Sequence, residues 1–98
     1  QTLDYTVGPA FEVDLESVTG NITITLSNAP ASGTYGQITV KVTQDSATAR
    51  TITWAGGTFR WAGGAAHVMN ATLDGFSIFT FETWDGGTTW YGAGADYS

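Results

Sequence analysis

The sequence predicts an all-β fold: an antiparallel β-sandwich, jelly-roll-like, with about eight short strands. Three observations carry this expectation. Apolar residues recur at every second position in segment after segment, and no long window shows helical spacing. Strand-forming residues are plentiful while charge is scarce, with aromatics at 13% against 12% charged. Turn signals built on Gly, Pro, Asn and Asp separate the alternating runs at short intervals.

Each run follows from its pattern. "LDYTV" sets Leu3, Tyr5 and Val7 on one face, and Gly8-Pro9 ends it. "FEVDLE" sets Phe11, Val13 and Leu15 inward and Glu12, Asp14 and Glu16 outward. "NITITLS" alternates Ile22, Ile24 and Leu26 with Thr23, Thr25 and Ser27. "SNAPASG", residues 27–33, is a long turn-rich connection broken by Pro30 and Gly33. "QITVKVT" repeats the alternation with Ile38, Val40 and Val42. "QDSAT" leads on to "RTITW" and "TFRW", and then to a weaker "AHVMN" at 66–70. Asp74-Gly75 and Asp85-Gly86 are hairpin-type dipeptides.

Residues 75–84, "GFSIFTFETW", are apolar on both faces. Phe76 and Ile78 point one way, and Phe79 and Phe81 the other. Such a strand is covered on both sides, or a bulge re-aims it. The first alternative predicts contact with another copy or another chain. Trp84 and Trp90 flank the last turn and are expected to meet as a cross-strand pair. A Trp-x-Gly-Gly element occurs at 54–57, 61–64 and 84–87, at irregular spacing, so it reads as a reused turn and not a solenoid repeat.

Composition narrows the function classes. Residues 1–98 suit a single β-sandwich domain. With no cysteine, disulfides and thiolate metal sites are excluded, and one histidine excludes a multi-His site. A net charge of −6 argues against nucleic acid as a partner. No apolar run is long enough for membrane insertion as a helix, and no charged-then-apolar leader pattern occurs.

Candidate chemistry is sparse. Glu12, Asp14 and Glu16 stand about 6.5–7 Å apart along one strand face, a spacing compatible with paired-carboxylate work. A plain solvated face accounts for them better, because nothing marks a cleft that would split their pKa values. "DGGTT" at 85–89 lacks the repeated acids of a calcium loop. His67 has no nucleophile elbow to serve, and no phosphate or dinucleotide motif occurs. No catalytic, metal or cofactor residue is assigned. The tryptophans and tyrosines offer two readings, core packing or a saccharide-stacking platform, with Trp61 and Tyr91 as the candidate glycan contacts.

"GNITITLSNAPASG" (20–33), "ITVKVTQDSATARTITW" (38–54), "RWAGG" (60–64) and "DGGTTWYG" (85–92) occur in that order. Together they resemble a small β-domain of bacteriophage virion surface proteins, found in tail fibres, head fibres and capsid decoration proteins. The sequence departs from that pattern where prolines commonly follow the "TITW" and "W-GG" elements; here Ala55 and Ala65-Ala66 stand there. The resemblance implies a structural, non-enzymatic role on the virion surface. It also implies a homo-oligomer, commonly a trimer, with a capsid or fibre protein as partner and a host surface glycan as a possible ligand. It carries over no catalytic residue. The residues expected at the oligomer interface are Phe79, Phe81, Trp90 and Tyr91.

Overall fold

The computed structural model describes residues 2–17 and 20–97. Among the described residues there are eight strands: β1 (Thr2–Asp4), β2 (Ala10–Asp14), β3 (Ile22–Ser27), β4 (Gly36–Thr43), β5 (Ile52–Ala55), β6 (Thr58–Trp61), β7 (Phe76–Thr83) and β8 (Thr89–Tyr97). Short 3₁₀ turns cover Leu15–Ser17 and Ala62–Gly64. The strands form a three-stranded sheet, β1-β3-β5, and a five-stranded sheet, β2-β4-β7-β8-β6. The all-β class and the two-sheet architecture agree with the alternation in the sequence.

Strand direction differs from the antiparallel, jelly-roll-like expectation. From β1 to β6 the chain passes from one sheet to the other at every step. The first three returns each lay a strand parallel to its predecessor in the same sheet: β1 beside β3, β2 beside β4, and β3 beside β5; the fourth places β6 at the far edge, parallel to β8. A parallel pair needs a long crossover. Here a strand of the opposite sheet supplies it. The one sequential hairpin is β7–β8, which enters antiparallel to β4 and separates it from β6.

The interior follows from period two. Ile38, Val40 and Val42 of β4, Phe79 and Phe81 of β7, and Trp90 of β8 face Leu3, Ile24 and Leu26 of the smaller sheet. Val13 and Leu15 close one side. The Trp54 ring lies 4.9 Å from Phe79 and 4.6 Å from Phe81. Phe59 and Trp61 pack on Phe81 from β6.

Three strands cannot cover five, and residues 65–75 close the remainder. The predicted strand "AHVMN" is irregular there. Its polar groups are satisfied by side chains instead of a ladder. The Asn70 N–H donates to Ser77 Oγ at 3.0 Å, and the Asn70 carbonyl accepts from Gln44 Nε2 at 2.8 Å. Asn70 Nδ2 donates to the Tyr97 carbonyl at 2.9 Å. Met69 enters the core, while Val68 is exposed. Val7 also departs from expectation: its N–H closes a turn onto the Asp4 carbonyl, and its side chain is exposed.

Two of the three Trp-x-Gly-Gly elements make close approaches. At the β5–β6 corner, Gly56 has φ 107°, and a Cβ there would lie 2.2 Å from the Leu26 carbonyl oxygen. At the β7–β8 turn, a Cβ on Gly87 would lie 2.9 Å from that of Ala29. Gly63 has a similar positive φ but open space around it. Gly56→Ala is therefore expected to cost about 3 kcal/mol or more, through φ strain plus a backbone collision, and Gly63→Ala only about 1–2 kcal/mol. Urea-unfolding midpoints of the two variants measure the difference.

Candidate functional site

The two faces of β7 have different fates. Ser77, Phe79, Phe81 and Thr83 are buried between the sheets, while Phe76, Ile78, Thr80 and Glu82 alternate with them on the outer face. No bulge interrupts the β4–β7 register. Ladder partners share a face, so the outer surface can be read row by row. Glu82 pairs with Gln37 on β4 and with Tyr91 on β8, and Tyr91 pairs with Arg60 on β6. Gln37, Glu82, Tyr91 and Arg60 thus form one row across four strands.

Two aromatics extend this row at the strand ends. Tyr35 precedes β4, and Trp84 follows β7 in phase with Glu82. Their ring centroids are 5.1 Å apart at 51°, and Trp84 lies 5.8 Å from Tyr91 at 62°. All three rings are accessible: Tyr35 43%, Trp84 49% and Tyr91 44% exposed. The Tyr35 hydroxyl donates to Glu82 Oε2 at 2.8 Å and lies 2.8 Å from Gln37 Oε1. That bond to Glu82 is the main reason the phenol is held above its usual pKa.

Beside Tyr91 lies a shallow depression of about 330 Å³, bordered by Arg60, Trp61, Thr80, Glu82 and Ala93. It continues along Ile78, Ala95 and Tyr97. The "YGAGAD" run makes this trough. Gly92 and Gly94 face inward, and Ala93 and Ala95 face outward, where they add little height. At its far end Phe76 and Tyr97 stack at 5.0 Å, with Lys41 Nζ 4.7 Å above Phe76. Arg50 pairs with Asp45. Arg60 is exposed and makes no ion pair among the described residues.

The other candidates have local duties. Phe79, Phe81 and Trp90, expected at an oligomer interface, are 0%, 0% and 1% exposed. The same chain covers them, so they are core residues; of that set Tyr91 alone reaches the surface. Trp61 packs over Gly92 and Phe81 on the inner side of the sheet and Tyr91 faces outward, yet both line the same depression at the edge of β6 and β8. Trp84 meets Tyr35 and Tyr91 instead of Trp90, because Trp84 and Trp90 belong to opposite faces.

Two of the three acids, Asp14 and Glu16, have local partners. Asp14 Oδ1 accepts the Glu16 N–H, and the Glu16 carboxylate binds the N–H and hydroxyl of Ser46. His67 Nε2 lies 2.8 Å from Asp96 Oδ1, which also accepts from the Ser77 hydroxyl. In this order the Ser77 hydroxyl donates to Asp96 and has no bond to the imidazole, so the three are not arranged as a Ser–His–Asp triad. Among the described residues, no group of three potential metal ligands occurs. The sequence reading missed Tyr35, Arg60, Glu82 and Trp84. Counting in twos from Ile78 along β7 would have placed Glu82 and Trp84 outward, opposite Phe79 and Phe81; Arg60 alternates with Phe59 and Trp61 on β6.

No protein-family model matches this chain, and no curated protein or solved structure matches it either.

Asp85 is the hub of the last turn. Its Oδ1 accepts from the Thr89 N–H at 2.9 Å and from the Thr83 hydroxyl at 3.0 Å. These bonds, the Thr89 amide foremost, hold its pKa below the ordinary 3.8. A folded value below the unfolded one contributes stability above the unfolded pKa, and that contribution is lost as pH falls through the folded value. Asp85→Asn should therefore flatten the acid limb of the stability curve below about pH 4. Urea midpoints across that range for both proteins check this, and identical limbs would refute it.

Proposed function

We propose that this chain is a non-enzymatic structural protein or module of a bacteriophage virion surface, a capsid decoration protein or part of a head or tail fibre. One observation carries the reading: the segments that resemble that family are each other's structural partners. "NITITL" in β3 pairs with "ITW" in β5, and "RW" in β6 pairs with "WYG" in β8. The "SNAPASG" connection sits on the last turn, where the Gly33 N–H donates to the Trp84 carbonyl at 2.8 Å. The shared residues therefore specify a framework, and the positions between them are free to carry particle-specific contacts. Antibody labelling of purified particles tests the reading. Label on the particle surface supports it, and absence of the chain from purified particles refutes it.

Assembly as a homo-oligomer, with a trimer favoured, belongs to the same proposal. Its apolar contact surface is Phe76, Ile78 and Tyr97 on the outer face, in place of the buried phenylalanines. Phe76→Ser with Ile78→Ser should reduce the oligomeric mass and leave the fold intact. Phe79→Ser with Phe81→Ser should unfold the chain, since emptying a buried phenylalanine site costs about 3–5 kcal/mol. Light-scattering mass and circular dichroism separate the two outcomes.

A second reading, recognition of carbohydrate, is supported by the exposed row Tyr35–Trp84–Tyr91. The two readings are compatible, because a virion surface protein can contact cell-surface glycans.

A further inference from the structure

We infer that Tyr35, Trp84 and Tyr91, with Glu82 and Arg60, form a binding site for a short, soluble, neutral pyranose chain. The inference deepens the carbohydrate reading and rests on it. It does not depend on the virion assignment.

The rings supply the first argument. A pyranose presents C–H groups on its faces, and the electron-rich face of an aromatic ring attracts them while excluding water. Successive ring centroids lie 5.1 and 5.8 Å apart, comparable to the advance per sugar in an extended chain. Neighbouring sugars can then rest on neighbouring rings. The planes are inclined at 51° and 62°, so the row is twisted. A twisted row fits a free chain that turns from unit to unit. It does not fit the flat face of a crystalline polysaccharide.

The polar groups supply the second argument. Glu82 and Arg60 occupy the strands on either side of Tyr91, in the same row. Two strand spacings put their backbones about 10 Å apart with the ring between them. A carboxylate only accepts hydrogen bonds, and a guanidinium only donates them. A sugar lying on Tyr91 presents hydroxyls at both edges, and a hydroxyl can donate to one group and accept from the other. Thr80 adds a further hydroxyl at the floor of the depression. The Tyr35–Glu82 bond orients the carboxylate before any ligand arrives, which reduces the ordering cost of binding.

Charge supplies the third argument, for neutrality. The site holds one cation and one anion, within a chain of net charge −6. An acidic polysaccharide would meet Glu82 locally and a negative field at longer range. A neutral sugar uses both charged groups as hydrogen-bonding partners and meets neither penalty.

The test is direct binding of the full chain to soluble neutral tetrasaccharides of the gluco, galacto and manno series, read by calorimetry and tryptophan fluorescence. An oligogalacturonate and microcrystalline cellulose serve as contrasts. At least one neutral series is expected to bind, with little binding to either contrast. Trp84→Ala and Tyr91→Ala should each weaken binding about tenfold or more, and Arg60→Ala and Glu82→Gln several-fold. Melting temperatures should stay close to wild type, because Trp84, Tyr91 and Arg60 are exposed and Glu82→Gln keeps an acceptor for the Tyr35 hydroxyl; Tyr35→Phe, which keeps the ring, is the milder second variant. If no carbohydrate binds the folded wild type, the carbohydrate reading itself is overturned. If a neutral sugar binds but survives loss of both rings, the site lies elsewhere. If the uronate binds tightest and Arg60→Ala abolishes it, the site is charge-led and the neutral assignment is wrong.

Discussion

The register of β7 between β4 and β8 is the constraint from which the rest of the structure follows. Phe79 and Phe81 stand beside Val40 and Ile38 on one side and beside Gly94 and Gly92 on the other. The glycines leave the room the rings occupy: a Cβ on Gly92 would come within 2.9 Å of Phe81 Cε1. A glycine opposite an aromatic gives the ring a backbone surface to cover. Sliding β7 by one residue would expose both phenylalanines and bury Glu82 without its partners. One register therefore sets the core below the sheet and the polar row above it.

The wound path of the first six strands gives this register its second wall. Because the chain crosses between sheets at each step, β5 arrives above β7 and lowers Trp54 onto both phenylalanines. The corner that follows is tight. Gly56 rides against the Leu26 backbone, and Gly57 lies against the carbonyl of Gly87 in the last turn. The β3–β4 connection, the β5–β6 corner and the β7–β8 turn thus meet at one end of the sandwich. Asp85 fixes the turn from within through Thr83 and Thr89, so its carboxylate serves folding and not ion binding.

The alternation that revealed the strands in the sequence says nothing about their direction, because side chains alternate identically in parallel and antiparallel ladders. Gly-Gly after tryptophan looks like a hairpin, yet at 56–57 it turns the chain into the other sheet, a distinction set by where β3 lies. The doubly apolar β7 was legible as such, but its inward face was not. Gly92 and Gly94 make that choice from another strand, and Phe76 and Ile78 are left outside. Residues 66–70 alternated weakly, and Ser77, Gln44 and Tyr97 satisfy Asn70 without a ladder. Trp90 and Tyr91 were legible as pointing to opposite faces, but which of them lies outside was not. The contacts among Tyr35, Trp84 and Tyr91 were not legible either, because they join the start of β4, the end of β7 and the first part of β8.

The β8 run "YGAGAD" shows how closely framework and surface are coupled. Its inward glycines are spent on Phe81 and His67, since a Cβ on Gly94 would lie 2.5 Å from the His67 ring. Its outward alanines form the floor of the trough. The inward set has little freedom, because an added Cβ strikes the Phe81 ring at Gly92 and the half-buried His67 ring at Gly94. The outward set has much more: Arg60, Thr80, Glu82 and Ala93 touch solvent and can change without disturbing the core. A sheet built this way keeps its fold while its outer face is rewritten. That separation suits a recognition surface carried on a fixed scaffold.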